Sequence, residues 1–459
     1  MENLSPVEKY KDEQVFAGTI NQKGSFSFIA QKIGSDTLLA HIIKMVKEAQ
    51  GSKAPVQKLV DKIAGIFVPV VLIISLLTFT IWATFGGSNG VSQGLMAMVT
   101  VLVIACPCAL GLATPTAIMV GVGKGAENGI LIKDAEGLEL AQKIDAMILD
   151  KTGTITIGKP EVVNAIWFND DDELKSILMA MEEKSDHPLA FSIAQELKSN
   201  HTKTVQIENF ESLTGKGVKA LANGVTYFAG STGLMESISI PIEKTEIKEW
   251  MSKAYTLIYF ASETELLAIY AVSDQIKKSS KKAIQDLKNL GIEVYMLTGD
   301  GEASAKSIAL EVGILNYKFN VLPSDKANFI KQLQQEGKKV AMVGDGINDA
   351  EALARADVSI AMGRGSDIAI DVAKITLISS DLGKIPQAIN LSKQTVKIIK
   401  QNLFWAFIYN VIGIPLAAGI LYPINGFLLN PMIAGAAMAL SSVSVVTNSL
   451  RLKFMKIDE

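Results

Sequence analysis

Four long apolar runs stand out in the pattern of hydrophobic and polar positions along the chain. Each run is about as long as a helix that crosses a bilayer and contains almost no charge. Their approximate bounds are Ile66 to Phe85, Leu95 to Val122, Leu403 to Leu421 and Phe427 to Val446. Buried core helices are the alternative, but helices of globular proteins rarely run this long without charge. The pattern therefore predicts four membrane spans in two pairs.

Between the two pairs, short apolar runs each end in polar or glycine-rich residues. These runs are Ala146 to Leu149, Leu266 to Val272, Ile292 to Leu297, Lys339 to Val343 and Val358 to Ala361. They predict a parallel α/β sheet of the Rossmann type, whose ligands bind beyond the carboxyl ends of the strands. Residues from about 160 to 265 interrupt this sheet with a helical run and glycine turns, which predicts an inserted α+β domain.

The region before the first span carries two weaker signals. Alternating polar and apolar residues from about 15 to 35, with three glycines, suggest strands and turns of a small β domain. The segment from Gly34 to Thr37 then reads as a helix start, and the apolar positions through Ala49 have helical spacing.

Lysine and arginine are distributed unevenly around the predicted spans. The connections 86–94 and 422–426 contain neither residue. Basic residues flank the other ends: Lys53, Lys58, Lys62, Lys124, Lys133, Lys393, Lys397, Lys400, Arg451 and Lys453. The bias predicts that both termini and the large middle segment are cytoplasmic. We expect the membrane to be the plasma membrane.

The overall composition agrees with a membrane protein. Of the 459 residues, 49% are hydrophobic, and the mean hydropathy of +0.28 is high for a purely soluble chain. The net charge of −3, without a basic stripe, gives no electrostatic case for nucleic acid. No cleavable signal peptide is visible at Met1.

The two cysteines flank a proline inside the second predicted span. In Cys106-Pro107-Cys108 the proline removes a helical hydrogen bond and frees carbonyl groups. Because both cysteines lie in the span, we expect no disulfide framework and no soluble zinc module. Inert buried cysteines are the alternative, whereas two thiolates at a helix break would select a soft cation such as Cu⁺ or Zn²⁺.

Asp150 lies at the carboxyl end of the first predicted strand, in Asp150-Lys151-Thr152-Gly153-Thr154. A carboxylate in this position can attack a γ-phosphate and form an acyl-phosphate. Lys151 and Thr152 can then offset charge and position the phosphoryl group. The segment therefore indicates phosphoryl transfer.

Two further strand ends supply partners for such a reaction. Asp345 and Asp349 are candidate Mg²⁺ ligands, to which we add Asp150 and Thr152, because Mg²⁺ prefers a few carboxylate oxygens with water and phosphate. A helix beginning after Gly346 would place Asp345 and Asp349 on one side. Candidate phosphate contacts are Thr298, Gly299, Asp300 and the charge clamp Lys326.

These motifs, in this order, resemble the P-type ATPases, for which Asp-Lys-Thr-Gly-Thr is the phosphorylation signature. Ser185-Asp186-His187-Pro188-Leu189 is similar to the nucleotide signature of the heavy-metal branch. The resemblance implies ATP contacts at Glu182, His187, Gly215 and Gly217, and a haloacid dehalogenase-like phosphorylation domain. It also implies ATP and Mg²⁺ as cofactors and a soluble metal chaperone as a candidate partner.

The resemblance also implies a division of the chain and a cargo. The parts are a partial actuator domain (1–45), a linker helix (46–65), a transmembrane pair (66–122), the phosphorylation domain (123–158 and 266–385), the nucleotide-binding domain (159–265) and a second transmembrane pair (397–450). The candidate metal ligands are Cys106, Cys108, Tyr409, Asn410, Met438 and Ser441. Cu⁺ is favoured over Zn²⁺ because the apolar cores of the last two spans offer no carboxylate.

The usual family layout has more spans and a Thr-Gly-Glu loop ahead of this region, so the chain resembles an N-terminally truncated member. Two other functions stay open on the residues alone. One is a fragment that binds nucleotide and metal without pumping. The other is a membrane-anchored phosphatase of the haloacid dehalogenase type, which would need neither His187 nor the Cys-Pro-Cys segment.

Overall fold

The computed structural model describes residues 9–10, 15, 27–30, 33–34, 37–52, 54–185, 187–213, 216–242, 247–252, 255–345, 349–363 and 367–457. The β domain expected between residues 15 and 35 lies mostly outside these residues. The helices are α1 (Leu38–Gly51), α2 (Pro55–Phe85), α3 (Gly90–Ile104), α4 (Cys108–Glu127), α5 (Ala135–Ala141), α6 (Asp172–Glu183), α7 (Pro188–Ser199), α8 (Thr232–Ser237), α9 (Lys248–Ser252), α10 (Ser280–Asn289), α11 (Glu302–Val312), α12 (Pro323–Gln335), α13 (Ala350–Arg355), α14 (Asp367–Val372), α15 (Lys384–Ala418), α16 (Tyr422–Asn425) and α17 (Pro431–Arg451). The strands are β1 (Ile130–Ile132), β2 (Ala146–Asp150), β3 (Thr156–Trp167), β4 (Glu208–Leu213), β5 (Gly217–Ala222), β6 (Val225–Gly230), β7 (Thr256–Ser262), β8 (Leu266–Ile276), β9 (Glu293–Leu297), β10 (Asn316–Lys318), β11 (Val340–Gly344), β12 (Val358–Ala361) and β13 (Ile375–Leu377).

Four helical segments of the described chain are long and apolar enough to cross a bilayer. They are Pro55–Phe85, Gly87–Glu127, Lys384–Ala418 and Pro431–Phe454. The second is interrupted between α3 and α4, where Pro107 precedes Cys108. This break is the one that the proline predicted. α15 and α17 both pack against α4.

The linker helix expected at 46–65 is two helices. α1 begins after Thr37, whose Oγ1 accepts the N–H of Ala40 at 3.2 Å, and ends at Gly51. Ala54 is extended, and α2 begins at Pro55. The prediction of one helix was wrong because proline favours the first position of a helix and disfavours helical backbone in the residue before it.

A seven-stranded sheet carries the strand ends on which the candidate chemistry depends. Its order is β1-β13-β12-β11-β2-β9-β10, and β1 is the antiparallel member. The central strands β2 and β11 are buried along their whole length. This is the parallel α/β sheet that the sequence predicted.

The inserted domain is built on a second, antiparallel sheet of six strands in the order β3-β8-β7-β6-β5-β4. Leu266 to Val272, expected in the parallel sheet, belongs to β8, which pairs antiparallel with β3 and β7. The inserted sheet therefore extends from Thr156 to Ile276 and not from 159 to 265. The ends of the insertion are side by side, since Thr156 lies opposite Ile276.

Candidate active site and metal centre

β2 ends on Asp150 in the middle of the parallel sheet. The residue is 7% exposed and lies opposite Leu297, the last residue of β9. β11, on the other side of β2, ends at Gly344, directly before Asp345. Thr298, which follows β9, and Asp345, which follows β11, therefore lie at the same edge of the sheet as Asp150.

Lys326, on the first turn of α12, joins two carboxylates. Its Nζ donates to Oδ1 of Asp150 at 2.5 Å and to Oδ1 of Asp349 at 2.7 Å. Burial raises the pKa of Asp150 to about 7, repulsion from Asp349 adds to this, and Lys326 opposes it. Burial lowers the pKa of Lys326, but the two carboxylates outweigh burial and the net shift is upward. The ammonium group thus offsets the repulsion between two buried carboxylates.

Three carboxylates converge beside this lysine. Oxygen atoms of Asp150, Asp345 and Asp349 lie within 4.8 Å of one another. Burial raises the pKa of Asp345, and repulsion from Asp349 adds to the shift. Several carboxylate oxygens close together suit a hard cation that also keeps water and phosphate as ligands. The donor set therefore fits Mg²⁺.

The two carboxylates after β11 stand next to different described elements. α13 begins at Ala350, and Asp349 occupies the position before it. Residues 346–348 lie outside the described part of the chain, so the helix start expected after Gly346 stays a prediction. Asp345 is positioned by the end of β11, and Asp349 by the start of α13.

The turn after Asp150 brings the backbone against Asp345. Gly153 has φ +72°, and a Cβ atom there would lie 1.6 Å from Oδ2 of Asp345. Lys277 donates from Nζ to the carbonyl of Gly153, and Lys151 forms an ion pair with Asp300. Glycine is required here both by the backbone conformation and by the close approach.

Thr298 is buried, and its Oγ1 accepts the N–H of Asp300 at 3.1 Å. Asp300 also accepts a hydrogen bond from Ser304 Oγ at 3.1 Å. In this conformation the hydroxyl of Thr298 orders its own turn. Thr152 and Gly299 are exposed at the same edge of the sheet.

Two residues of this neighbourhood were missed by the sequence analysis. Lys277 contacts the turn at Gly153 and lowers the pKa of Asp345 against the effect of burial. Asp274 accepts from the hydroxyl of Thr156 and, at 2.9 Å, from the N–H of Gly158. Both stand at the polar end of an apolar run, which is the signal that identified Asp150.

The candidate nucleotide residues lie on the inserted domain. Glu182 is on the last turn of α6, where burial raises its pKa to about 7. His187 is exposed and caps α7, its Nδ1 accepting the N–H of Leu189 at 3.3 Å. Gly217 begins β5, and a Cβ atom there would lie 2.2 Å from the carbonyl oxygen of Ala229. Gly215 lies outside the described residues.

Cys106 and Cys108 are joined by a disulfide across the helix break, with their Cα atoms 5.5 Å apart. The expectation of two thiolates therefore differs from the structure, because the break brings both sulfur atoms to one place. A disulfide does not offer the two thiolates that a soft metal prefers. Only the reduced pair could offer thiolates to a metal ion.

The last two long helices place polar groups in an apolar surrounding. Asn410 on α15 and Ser441 on α17 are buried, and their Oδ1 and Oγ atoms have no hydrogen-bond partner among the described residues. Met438 belongs to the buried cluster against which Cys106 packs. Tyr409 is 38% exposed. The described part of these helices thus offers two buried oxygens without a partner and a thioether in the cluster next to Cys106, while Tyr409 is partly exposed.

A separate polar network joins α4, α15 and α17. Asn402 donates from Nδ2 to the carbonyl of Ala113 at 3.2 Å and to Oγ of Ser449 at 2.9 Å. Its Oδ1 accepts from Asn448 at 2.8 Å, and Ser449 also contacts Thr116 at 3.0 Å. This network satisfies the polar groups that the three packed helices bury.

Comparison with protein families gives two matches. Residues 144–357 match the haloacid dehalogenase-like hydrolases, and residues 3–47 match the P-type ATPase actuator domain. The first range contains Asp150, Lys326 and the three converging carboxylates.

Among curated relatives, the chain is 48% identical over 454 residues to a copper-exporting P-type ATPase of Staphylococcus haemolyticus, covering 98% of this chain and 56% of the relative. It is also 48% identical over 460 residues to a probable copper-transporting ATPase of Synechocystis sp., covering 98% and 61%. The chain thus spans somewhat more than half the length of these relatives. A solved structure of a zinc-transporting PIB-type ATPase in an E2.Pi state is 30% identical with a TM-score of 0.75, over 91% of this chain and 68% of that one.

Proposed function

Because this chain belongs to the P-type ATPases, we propose that it drives a soft metal cation, Cu⁺, across a membrane through an aspartyl-phosphate at Asp150. One observation carries the proposal. Asp150 ends a buried central strand within hydrogen-bonding distance of Lys326 and close to two further carboxylates. A carboxylate held in this way is positioned to act as a nucleophile.

In the proposed reaction, a carboxylate oxygen of Asp150 attacks the γ-phosphorus of ATP. The bond from that phosphorus to the β–γ bridging oxygen breaks, and ADP leaves. Lys326 stabilises negative charge on the transferring group, and Lys151, paired with Asp300, adds a second positive charge nearby. Water then attacks the acyl-phosphate and releases inorganic phosphate.

Asp150, Asp345 and Asp349 would hold Mg²⁺ when it is bound, which would neutralise phosphate charge. The surrounding residues keep these three carboxylates in place. The close approach of Gly153 fixes the carboxylate of Asp345, and Lys326 keeps Asp150 and Asp349 from separating.

For the nucleotide we propose Glu182, His187 and Gly217, together with Gly215. A ring exposed at a helix start is free to stack on adenine, and Gly217 allows a close approach of backbone. His187→Asn should keep the cap of α7, because Asn is a good N-cap residue, but lose the ring. Weaker binding of a fluorescent ATP analogue at unchanged thermal stability would support this role, and unchanged binding would contradict it.

Cu⁺ is the proposed cargo because the ligands available near the break are sulfur and neutral oxygen. The reduced Cys106 and Cys108, Met438, Asn410 and Ser441 include no carboxylate, which Zn²⁺ sites often use. Tyr409, which is partly exposed, stays a proposed ligand. We further propose four spans with cytoplasmic termini and catalytic domains, in the plasma membrane, and delivery of metal by a soluble chaperone.

The test is formation of phosphoenzyme from labelled ATP under reducing conditions. Cu⁺ should increase the signal, and Asp150→Asn should abolish it. Stimulation by Zn²⁺ but not by Cu⁺ would overturn the metal assignment. A stable signal without turnover would indicate a chain that binds and phosphorylates without pumping. Release of phosphate from many small phosphomonoesters, without preference for ATP, would favour the phosphatase.

A further inference from the structure

A cavity of about 430 Å³ lies beside α15, outside the groups described so far. The residues that define its character are Gln142, Lys393, Lys397, Lys400, Phe404 and Trp405. Three lysines and two aromatic rings, all on α15, thus line the cavity. Among the described residues, none of those proposed for catalysis, nucleotide binding or metal binding lines the cavity.

The three lysines lie on one side of α15, at positions i, i+4 and i+7. Lys397 and Lys400 are exposed and Lys393 is half-buried. Within the described part of the chain none of the three forms an ion pair. Like charges at this spacing repel one another, so the face is suited to an anionic partner.

The two aromatic residues indicate where this basic face lies relative to a bilayer. The apolar half of α15 begins near Leu403, one turn beyond Lys400. Phe404 and Trp405 are 59% and 53% exposed at that boundary. Tryptophan at the start of an apolar helical stretch is typical of the interface at the level of lipid headgroups. With α15 in a bilayer as proposed above, the lysines would lie at the level of the headgroup phosphates and the rings at the level of the upper acyl chains.

We propose that this cavity binds the headgroup of an anionic phospholipid of the surrounding bilayer. The inference rests on the proposed membrane placement of α15. At the cytoplasmic membrane surface, the lysines match the charged headgroup of such a lipid and the aromatic rings match its acyl chains. A soluble anion would bind the lysines but make no use of the exposed rings. Gln142 follows α5, and Ser392 donates to the carbonyl of Leu138 on that helix, so the lipid would sit where the phosphorylation domain meets α15.

The test compares the full chain with Lys397→Gln/Lys400→Gln by native mass spectrometry, titrating phosphatidylglycerol and phosphatidylcholine into the detergent-solubilised protein. We expect the wild type to prefer phosphatidylglycerol. The double variant should bind it roughly 30-fold more weakly, from the contribution that each lysine makes at an anionic surface. The preference should also weaken as salt is raised. Circular dichroism checks that the variant is folded.

The matched control is Lys58→Gln/Lys62→Gln, which removes two exposed charges from the corresponding end of α2. It should keep the lipid affinity. Equal loss in both variants would overturn the proposal in favour of diffuse attraction, and so would displacement of the lipid by inorganic phosphate. Because the readout is binding and not turnover, a failure of the pump proposal leaves this result interpretable.

Discussion

The ammonium group of Lys326 holds Asp150 and Asp349 at hydrogen-bonding distance, and none of the three side chains is exposed enough for water to screen it. Removing the charge leaves two buried carboxylates facing each other. We expect Lys326→Met to lower the free energy of unfolding by about 3 kcal/mol or more, as loss of one partner from a buried ion pair does. The rate of phosphoenzyme formation should fall by roughly 100-fold.

Lys331 provides the control, since it is on the same helix but exposed. Lys331→Met should match the wild type in both denaturant unfolding and phosphoenzyme formation. If Lys326→Met were as stable and as active as Lys331→Met, the proposed role of the clamp would be rejected.

Gly153 makes a second residue-scale prediction. Alanine there would combine an unfavourable φ with a methyl group placed inside the carboxylate of Asp345. We expect Gly153→Ala to reduce phosphoenzyme formation on the order of 100-fold, because small displacements of catalytic groups have effects of this size. Gly301→Ala, with open space around the added methyl group, should be tolerated. Similar activity of the two variants would argue against the close approach.

At the scale of elements, α6 buries the carboxyl group of Glu182 against the inserted sheet. Its pKa is raised from 4.5 to about 7 by burial. Between these values the native state keeps a proton that the unfolded state has lost. The free energy of unfolding should therefore fall as pH rises through this window, by about 3 kcal/mol, and change little from this group outside it.

Glu182→Gln should remove that part of the pH dependence, whereas Glu183→Gln, at an exposed neighbour, should retain it. Urea unfolding followed by tryptophan fluorescence at pH 5 and pH 8 gives the comparison. Parallel pH profiles for the wild type and Glu182→Gln would show that the carboxyl group is not shifted.

The strands show how far the sequence alone could go. Ala146 to Leu149 and its parallel neighbours were predictable because each buried run ends in a polar residue at the sheet edge. The run within β8 looks the same but lies between β3 and β7 in the antiparallel sheet. A central antiparallel strand that is buried on both faces has no alternation to distinguish it from a parallel one. Asp274, near the end of β8, and Lys277, directly after it, were missed because only their contacts with Thr156, Gly158 and Gly153 place them near the site.

Within the site, Asp150, Asp345 and Lys326 could be predicted because each stands at a strand end or in a recognisable motif. The fit of Gly153 against Asp345 could not, because it depends on the distance between two segments far apart in sequence. The N-cap role of His187 was likewise hidden, since the same ring is suited to nucleotide and to a helix start.

For the whole molecule, the network around Asn402 connects the helix that carries Cys108 with those that carry Asn410 and Met438. Asn402→Leu leaves the hydroxyl of Ser449 and the amide of Asn448 without this partner. We expect a several-fold higher metal concentration for half-maximal phosphoenzyme, with binding of an ATP analogue unchanged, because the helices are no longer held in register. Thr80→Val, whose hydroxyl bonds within its own helix, is the control. An unshifted metal response would exclude this role.

The pairing of Thr156 with Ile276 has a consequence for how the chain assembles. β2 and β9 are neighbours in the parallel sheet, although the whole inserted domain separates them in sequence. Closing so long a loop costs entropy before the parallel pairs can form. The inserted domain joins neighbouring strands largely through short turns, and once folded it delivers its two ends side by side. Its early folding would therefore bring β2 and β9 together, so that Asp150 reaches its place after the inserted domain has formed.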